Sequence, residues 1–89
     1  MEILHDEHQQ KFYVITENLE SHLHYVKLDN ILDLNHTYVP YQLRGKGIAG
    51  KLVEAALEYA KQNGFKIIPS CSYVDVYFQR HPEYEYLLN

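Results

Sequence analysis

The chain has 89 residues, of which 46% are apolar and 13% aromatic, and its formal charge is −4. That length predicts one domain, residues 1–89, burying only about 60–65% of the surface its unfolded form exposes. The acidic balance argues against a general nucleic-acid binder. A lone cysteine excludes an internal disulfide, and no apolar run approaches the ~18 residues of a membrane span. Met1 to Gln10 is polar and acidic rather than signal-like, so a cytoplasmic, reduced setting is expected.

Lys11–Thr16 (KFYVIT) is rich in aromatic and β-branched residues and reads as the first strand. Glu17–Glu20 is a short connection, and His22–Leu28 (HLHYVKL) reads as a second strand. Asp29-Asn30 suits a two-residue hairpin turn, since both residues tolerate positive φ. Ile31–Val39 is a third strand. Simple alternation places Leu32, Leu34, His36 and Tyr38 on one face, and Ile31, Asp33, Asn35 and Thr37 on the other. Pro40 ends it.

A glycine-rich turn, Tyr41 to Gly47, leads into a helix predicted over Ile48–Asn63. There Ile48, Leu52, Ala55 and Tyr59 recur at helical spacing, and Gly64 is a natural stop. Phe65–Pro69 reads as a fourth strand and Tyr73–Arg80 as a short helix halted at His81-Pro82. Residues 83–88 add a further turn. The order predicts an α+β fold: a mixed, mostly antiparallel sheet with flanking helices. A right-handed βαβ crossover lays the fourth strand parallel to the third.

Charge is unevenly spread. Residues 1–36 carry seven acids and two bases, residues 37–66 five bases and two acids, and residues 67–89 three acids and one base. The basic segment contains Arg44-Gly45-Lys46-Gly47-Ile48-Ala49-Gly50-Lys51 at a strand–turn–helix junction. Glycines let backbone approach an anion closely. The first N–H groups of the helix have no helical partner, and its dipole favours negative charge. The local chemistry therefore points to phosphate.

Two familiar patterns match on their face. Gly45-x-Gly47-x-x-Gly50 fits a dinucleotide fingerprint, but no acid ends the next strand, where Pro69-Ser70-Cys71 stands. Gly45-x4-Gly50-Lys51 fits most of a P-loop, but Leu52 replaces the magnesium-binding Ser or Thr. A third pattern fits better. Gln42-x-x-Gly45-x-Gly47, within Val39–Ala49, resembles the acyl-coenzyme A pyrophosphate loop of the GNAT superfamily of N-acetyltransferases. Pro69-Ser70-Cys71-Ser72-Tyr73-Val74 and Arg80-His81-Pro82-Glu83-Tyr84 resemble a small single-domain branch of it. With His36-Thr37-Tyr38-Val39, the resemblance covers about residues 31–87.

The resemblance implies an acyltransferase moving an acetyl group from acetyl-coenzyme A to an amine. Thr37 and Val39 would pair with pantetheine, and Leu43, Arg44, Gly45, Lys46, Gly47, Ile48 and Ala49, with Gln42 and Tyr73, would hold the rest of the coenzyme. An oxyanion donor is expected from a backbone N–H near Tyr38 or Val39. Cys71, just past the fourth strand, is the candidate thiol or acyl carrier, although a lone strand-end cysteine is commonly a small buried hydrophobe. Tyr77, on one helix face with Tyr73, is the candidate acid, and Phe78 is the alternative occupant of the family's acid position.

Only Glu17–Glu20 stands where many relatives have two acceptor-shaping helices, and no two strands follow the last helix. The coenzyme half therefore looks intact and the acceptor half reduced. That suits a peptide or protein amine, a site completed by a partner, or a coenzyme A binding module with little transfer. A monomer is expected.

Six histidines complete the inventory. His5-Asp6-Glu7-His8 and the pair His22 and His24 have metal-ligand residue types without a closed ligand count, so no metal site is expected. His36 is read as a core histidine bonded to backbone, or as a base facing the thioester. His81 is expected to cap the last carbonyls of its helix.

Overall fold

The computed structural model describes all 89 residues. Five strands form one sheet in sequence order: β1 Leu4–Asp6, β2 Lys11–Thr16, β3 Leu19–Leu28, β4 Ile31–Tyr38 and β5 Lys66–Ile68. The first four are antiparallel and β5 runs parallel to β4. Helix α1 (Ile48–Asn63) makes the crossover and α2 (Ser72–Arg80) follows β5. Short 3-10 segments at Tyr41–Leu43 and Pro82–Leu87 complete the chain.

α1 forms where strong helix formers recur (Ala, Leu, Glu, Lys) and stops at Gly64, which takes φ 71 and closes its N–H on the Ala60 carbonyl. Its inner face, Ile48, Leu52, Val53, Ala56, Leu57 and Ala60, is buried against Phe12, Leu23, Leu32, Leu34 and Ile67 of the sheet. Each large side chain on that face contributes about 1.5–3 kcal/mol of burial. Val74 and Phe78 of α2 and Leu87 join the same core of 17 residues. The opposite face of the sheet carries no helix.

Three features depart from the sequence reading. A strand, β1, lies in the polar N-terminal stretch and pairs His5 with Phe12. Glu17–Glu20 is not a four-residue connection. Only Glu17 and Asn18, both with positive φ, form the turn, and Leu19 and Glu20 already belong to β3.

The third correction bears on the site. β4 does not alternate simply. Tyr25 pairs with Leu34 while His24 pairs with His36, so Asn35 is an extra residue, a β-bulge. Leu32 and Leu34 face the core as expected. Beyond the bulge the parity inverts. His36 and Tyr38 turn to the bare face of the sheet, and Thr37, opposite Leu23, turns inward. His36 is therefore exposed, not a core histidine.

Candidate functional site

β5 pairs with β4 only from Ile31 to Asp33. One further contact, the Cys71 N–H donating to the Leu34 carbonyl at 2.9 Å, continues the seam. Past that point β4 runs on to Tyr38 with no strand on its β5 side. The two strands part because Pro69 ends β5 and the chain turns into α2. The result is a wedge whose walls are the second half of β4 and the start of α2.

At the mouth of the wedge sits the glycine turn. Gly45 and Gly47 take φ 81 and 79, which favour glycine, and open space surrounds both α-carbons. Gly47 is the N-cap of α1. No side chain caps that end and no acid lies in its first turn. The first N–H groups of α1 thus point outward without a protein partner. Val39, Leu43, Arg44, Gly45, Gly47, Ile48, Ala49, Gly50 and Tyr73 line a cavity of about 230 Å³ there. Tyr73 belongs to α2, and its hydroxyl lies 3.6 Å from where a Cβ on Gly50 would stand. A backbone cradle, an exposed positive helix end and Arg44 suit a phosphate or pyrophosphate group.

The expected residues divide into groups. Leu43 and Ile48 have buried side chains, so they anchor the loop and offer only backbone to the cavity. Arg44 lines the cavity while its Nε donates to the Val39 carbonyl at 3.0 Å. Gln42 lies on the exposed 3-10 turn and does not line the cavity. Lys46 also points elsewhere, donating from Nζ to Glu17 in the β2–β3 turn at 3.1 Å. Gly50, unassigned from the sequence, joins the lining.

Thr37 and Cys71 meet across the wedge, with Oγ1 and Sγ 3.4 Å apart. Burial opposes ionisation of the Cys71 thiol. The Thr37 hydroxyl and the amides of Val74, Tyr73 and Thr37 favour the thiolate more strongly, and the pKa falls below the ordinary thiol value. Cys71 is the N-cap of α2, although its sulfur makes no formal cap hydrogen bond there. Those amides act on the ionised form.

Tyr77 stands apart from the glycine cavity. It lines a separate cavity of about 120 Å³ with Tyr73, Val76, Arg80 and His81. Its ring stacks on His81 at 4.0 Å. Burial, then the carboxylate of Glu54 on α1, raises its pKa and keeps the hydroxyl protonated. His81 Nδ1–H donates to the Tyr77 carbonyl at 2.8 Å, capping α2 as expected. Phe78 is buried in the core and reaches neither cavity.

A family model for GCN5-related N-acetyltransferases matches residues 11–87. Chicken and human Protein NATD1 are each 40% identical over 57 residues, which is 64% of this chain and 52% and 50% of theirs. The chain thus spans about half the length of the curated relatives it matches. The NMR solution structure of a GCN5-like protein from Staphylococcus aureus superposes with a TM-score of 0.78 at 31% identity, covering 99% of this chain and 87% of that one. The family match begins at the first residue of β2 and runs through both cavities to the last 3-10 turn. A chain with this sheet, this glycine turn and a match of that extent belongs to the GCN5-related N-acetyltransferase family.

Proposed function

We propose that this chain binds acetyl-coenzyme A in the wedge and transfers its acetyl group to an amine. One observation carries the reading: the uncapped, glycine-lined start of α1 lies beside the unpaired second half of β4. An extended thiol-bearing arm could add to that strand edge while its phosphates rest on the helix start. The residues fit such a ligand. Gly45 and Gly47 leave open space where side chains would stand, and the first turn of α1 carries no acid.

Acetyl-coenzyme A would supply the activated acyl group; the protein would supply position and protons. In this reading Val39 and Thr37 offer strand backbone to the pantetheine. Gly45 to Ala49 offer N–H groups, and Arg44 and Tyr73 close the two sides of the cradle. Cys71 is the reactive thiol, since its Sγ lies at the strand gap beside Thr37 and ionises readily. Tyr77 keeps its proton and serves as the candidate acid only if the bound thioester reaches its side of α2. A peptide or protein amine suits this site, because no helix stands between β2 and β3 to enclose the acceptor side and room is left for a large acceptor.

That openness equally favours a second reading, a coenzyme A binding module with little transfer. Titration of the chain with acetyl-coenzyme A, followed by a thiol-release assay across an amine and peptide panel, separates the two. Binding together with acceptor-dependent release supports transfer. Binding without release from any acceptor supports the module. Absence of binding refutes both. Gly47→Glu, which puts a side chain and a negative charge into the cradle, should reduce coenzyme A affinity at least tenfold. Unaltered affinity by calorimetry would show that the phosphates lie elsewhere.

A further inference from the structure

The bulge at Asn35 has a second effect, on the face of the sheet away from Thr37 and Cys71. His22 and His24 lie two apart on β3 and so share a face. His36 on β4 pairs directly with His24, and the inverted parity brings its ring to that same face. The ring centroids of His22 and His24 are 4.4 Å apart, those of His22 and His36 5.8 Å, and those of His24 and His36 6.1 Å. Three imidazoles bound through nitrogen to one tetrahedral ion, with bonds of about 2.0–2.1 Å, hold their centroids about 5 Å apart. The observed triangle brackets that spacing on three residues fixed by strand pairing.

We propose that His22, His24 and His36 form a binding site for a single divalent ion of the zinc class, with a fourth position open to solvent. The ligand type suits zinc, copper or nickel rather than magnesium or calcium. The supporting shell is already built. Glu20 accepts a hydrogen bond from His22 Nδ1–H at 2.9 Å, which leaves Nε2 with its lone pair. Lys11 holds the same carboxylate oxygen at 2.9 Å, which orients Glu20 and offsets the positive charge of the lysine beside the site.

In the arrangement observed, no three ligating groups already converge on one point. Closure needs rotation of the rings about their side-chain torsions. His36 is exposed and His22 and His24 are half-buried, and no helix covers that face of the sheet. The same-face pair His22–His24 and the cross-strand pair His24–His36 have ring centroids 4.4 and 6.1 Å apart, on either side of the ligand spacing, so the adjustment asked for is one of side-chain torsions.

Calorimetric titration of the full chain with zinc chloride, at pH 7.5 in a non-chelating buffer, tests the site. One equivalent should bind with a micromolar Kd, and magnesium chloride should give no heat. His22→Gln, His24→Gln and His36→Gln should each weaken zinc binding at least tenfold, while His8→Gln leaves it unchanged. Glu20→Gln, which keeps all three ligands, should weaken it about 10–100-fold. Two-dimensional NMR of each variant checks that the sheet is intact. On zinc addition to the wild type it should shift the ring resonances of these three histidines and not those of His5 or His81. Failure to bind zinc below millimolar concentration would overturn the proposal. So would binding that survives all three ligand substitutions, or shifts centred on His5 and His8.

Discussion

Lys46 shows how far a residue's place in a motif can differ from its place in space. It stands between the two glycines of the anion turn, yet its ammonium rests on Glu17 from a hairpin 29 positions earlier. Both partners are more than half exposed, so the pair itself contributes at most about 1 kcal/mol. Its effect on a bound anion is of the same order. Glu17→Gln removes the carboxylate that holds the Lys46 ammonium and so releases it. Coenzyme A affinity should rise by less than about fivefold at low salt, and the gain should vanish near 0.5 M salt as screening shortens to a few ångströms. Calorimetry at two ionic strengths reads both results, and a fall in affinity would contradict the sign.

Cys71 is the other residue whose setting matters more than its identity. Its thiolate is favoured in the folded protein, so its alkylation rate should reach half-maximum at a lower pH than that of the same chain unfolded in urea. Thr37→Val deletes the hydroxyl 3.4 Å from the sulfur and should move that midpoint upward, toward the unfolded value. An unchanged midpoint would remove Thr37 from the account. The sequence located this cysteine at a strand end. That Thr37 faces it was hidden, because strict alternation sent Thr37 to the other side of the sheet.

At the scale of elements, what was legible followed from periodicity and punctuation. α1 and its stop were readable because the apolar spacing, the helix formers and Gly64 agree with one another. The Asp29-Asn30 hairpin was readable from its turn chemistry, and Asp29 does take φ 54. β1 was not readable. Its three residues, Leu4, His5 and Asp6, lack a β-branched or aromatic run and become a strand only by pairing with β2. The bulge was not readable either, since one extra residue in a strand leaves no mark on composition. It decides which of His36 and Thr37 meets the core. Where the sequence was explicit, the cost of breaking its signal can be stated. Gly64→Ala places a Cβ in the left-handed region and should cost about 1–2 kcal/mol. For a domain of this size that is a fall in Tm of at least about 4 °C. Calorimetric melting checks it, and an unmoved Tm would mean that the helix end is not held in that conformation.

For the molecule as a whole, the N-terminal strand acts as a clip. It lies outside the residues matched by the family model, yet it closes one edge of the core. His5 stacks on Phe12 at 4.0 Å, meets the Tyr59 ring edge-on at 4.5 Å and bonds through Nε2 to the Tyr25 hydroxyl at 2.6 Å. Tyr59 on α1 in turn donates to Glu7 at 2.8 Å. Burial lowers the His5 pKa below 6.5, against the opposing pull of Glu7 and Asp6. Burial, then its two histidine neighbours His22 and His36, lowers that of His24 in the same direction. Below pH 6.5 the unfolded chain therefore takes protons that these two folded residues resist. Stability they contribute is complete above 6.5 and is lost as pH falls through their folded values. The alkaline limb has the opposite sign. Burial pushes Tyr25 up to about 12, so its contribution holds below the ordinary value of 10 and is lost as pH rises toward 12. Tm measured from pH 4.5 to 11 should form a plateau near neutrality with a fall on each side. His5→Gln should lower the plateau, because it removes the stacked ring, and should also flatten the acid limb. His24→Gln, half-buried on the helix-free face and outside the core, should flatten the acid limb with less change in the plateau than His5→Gln. An acid limb equally steep in both variants would place its cause in the carboxylates instead, and would separate the packing role of the N-terminal clip from any role in titration.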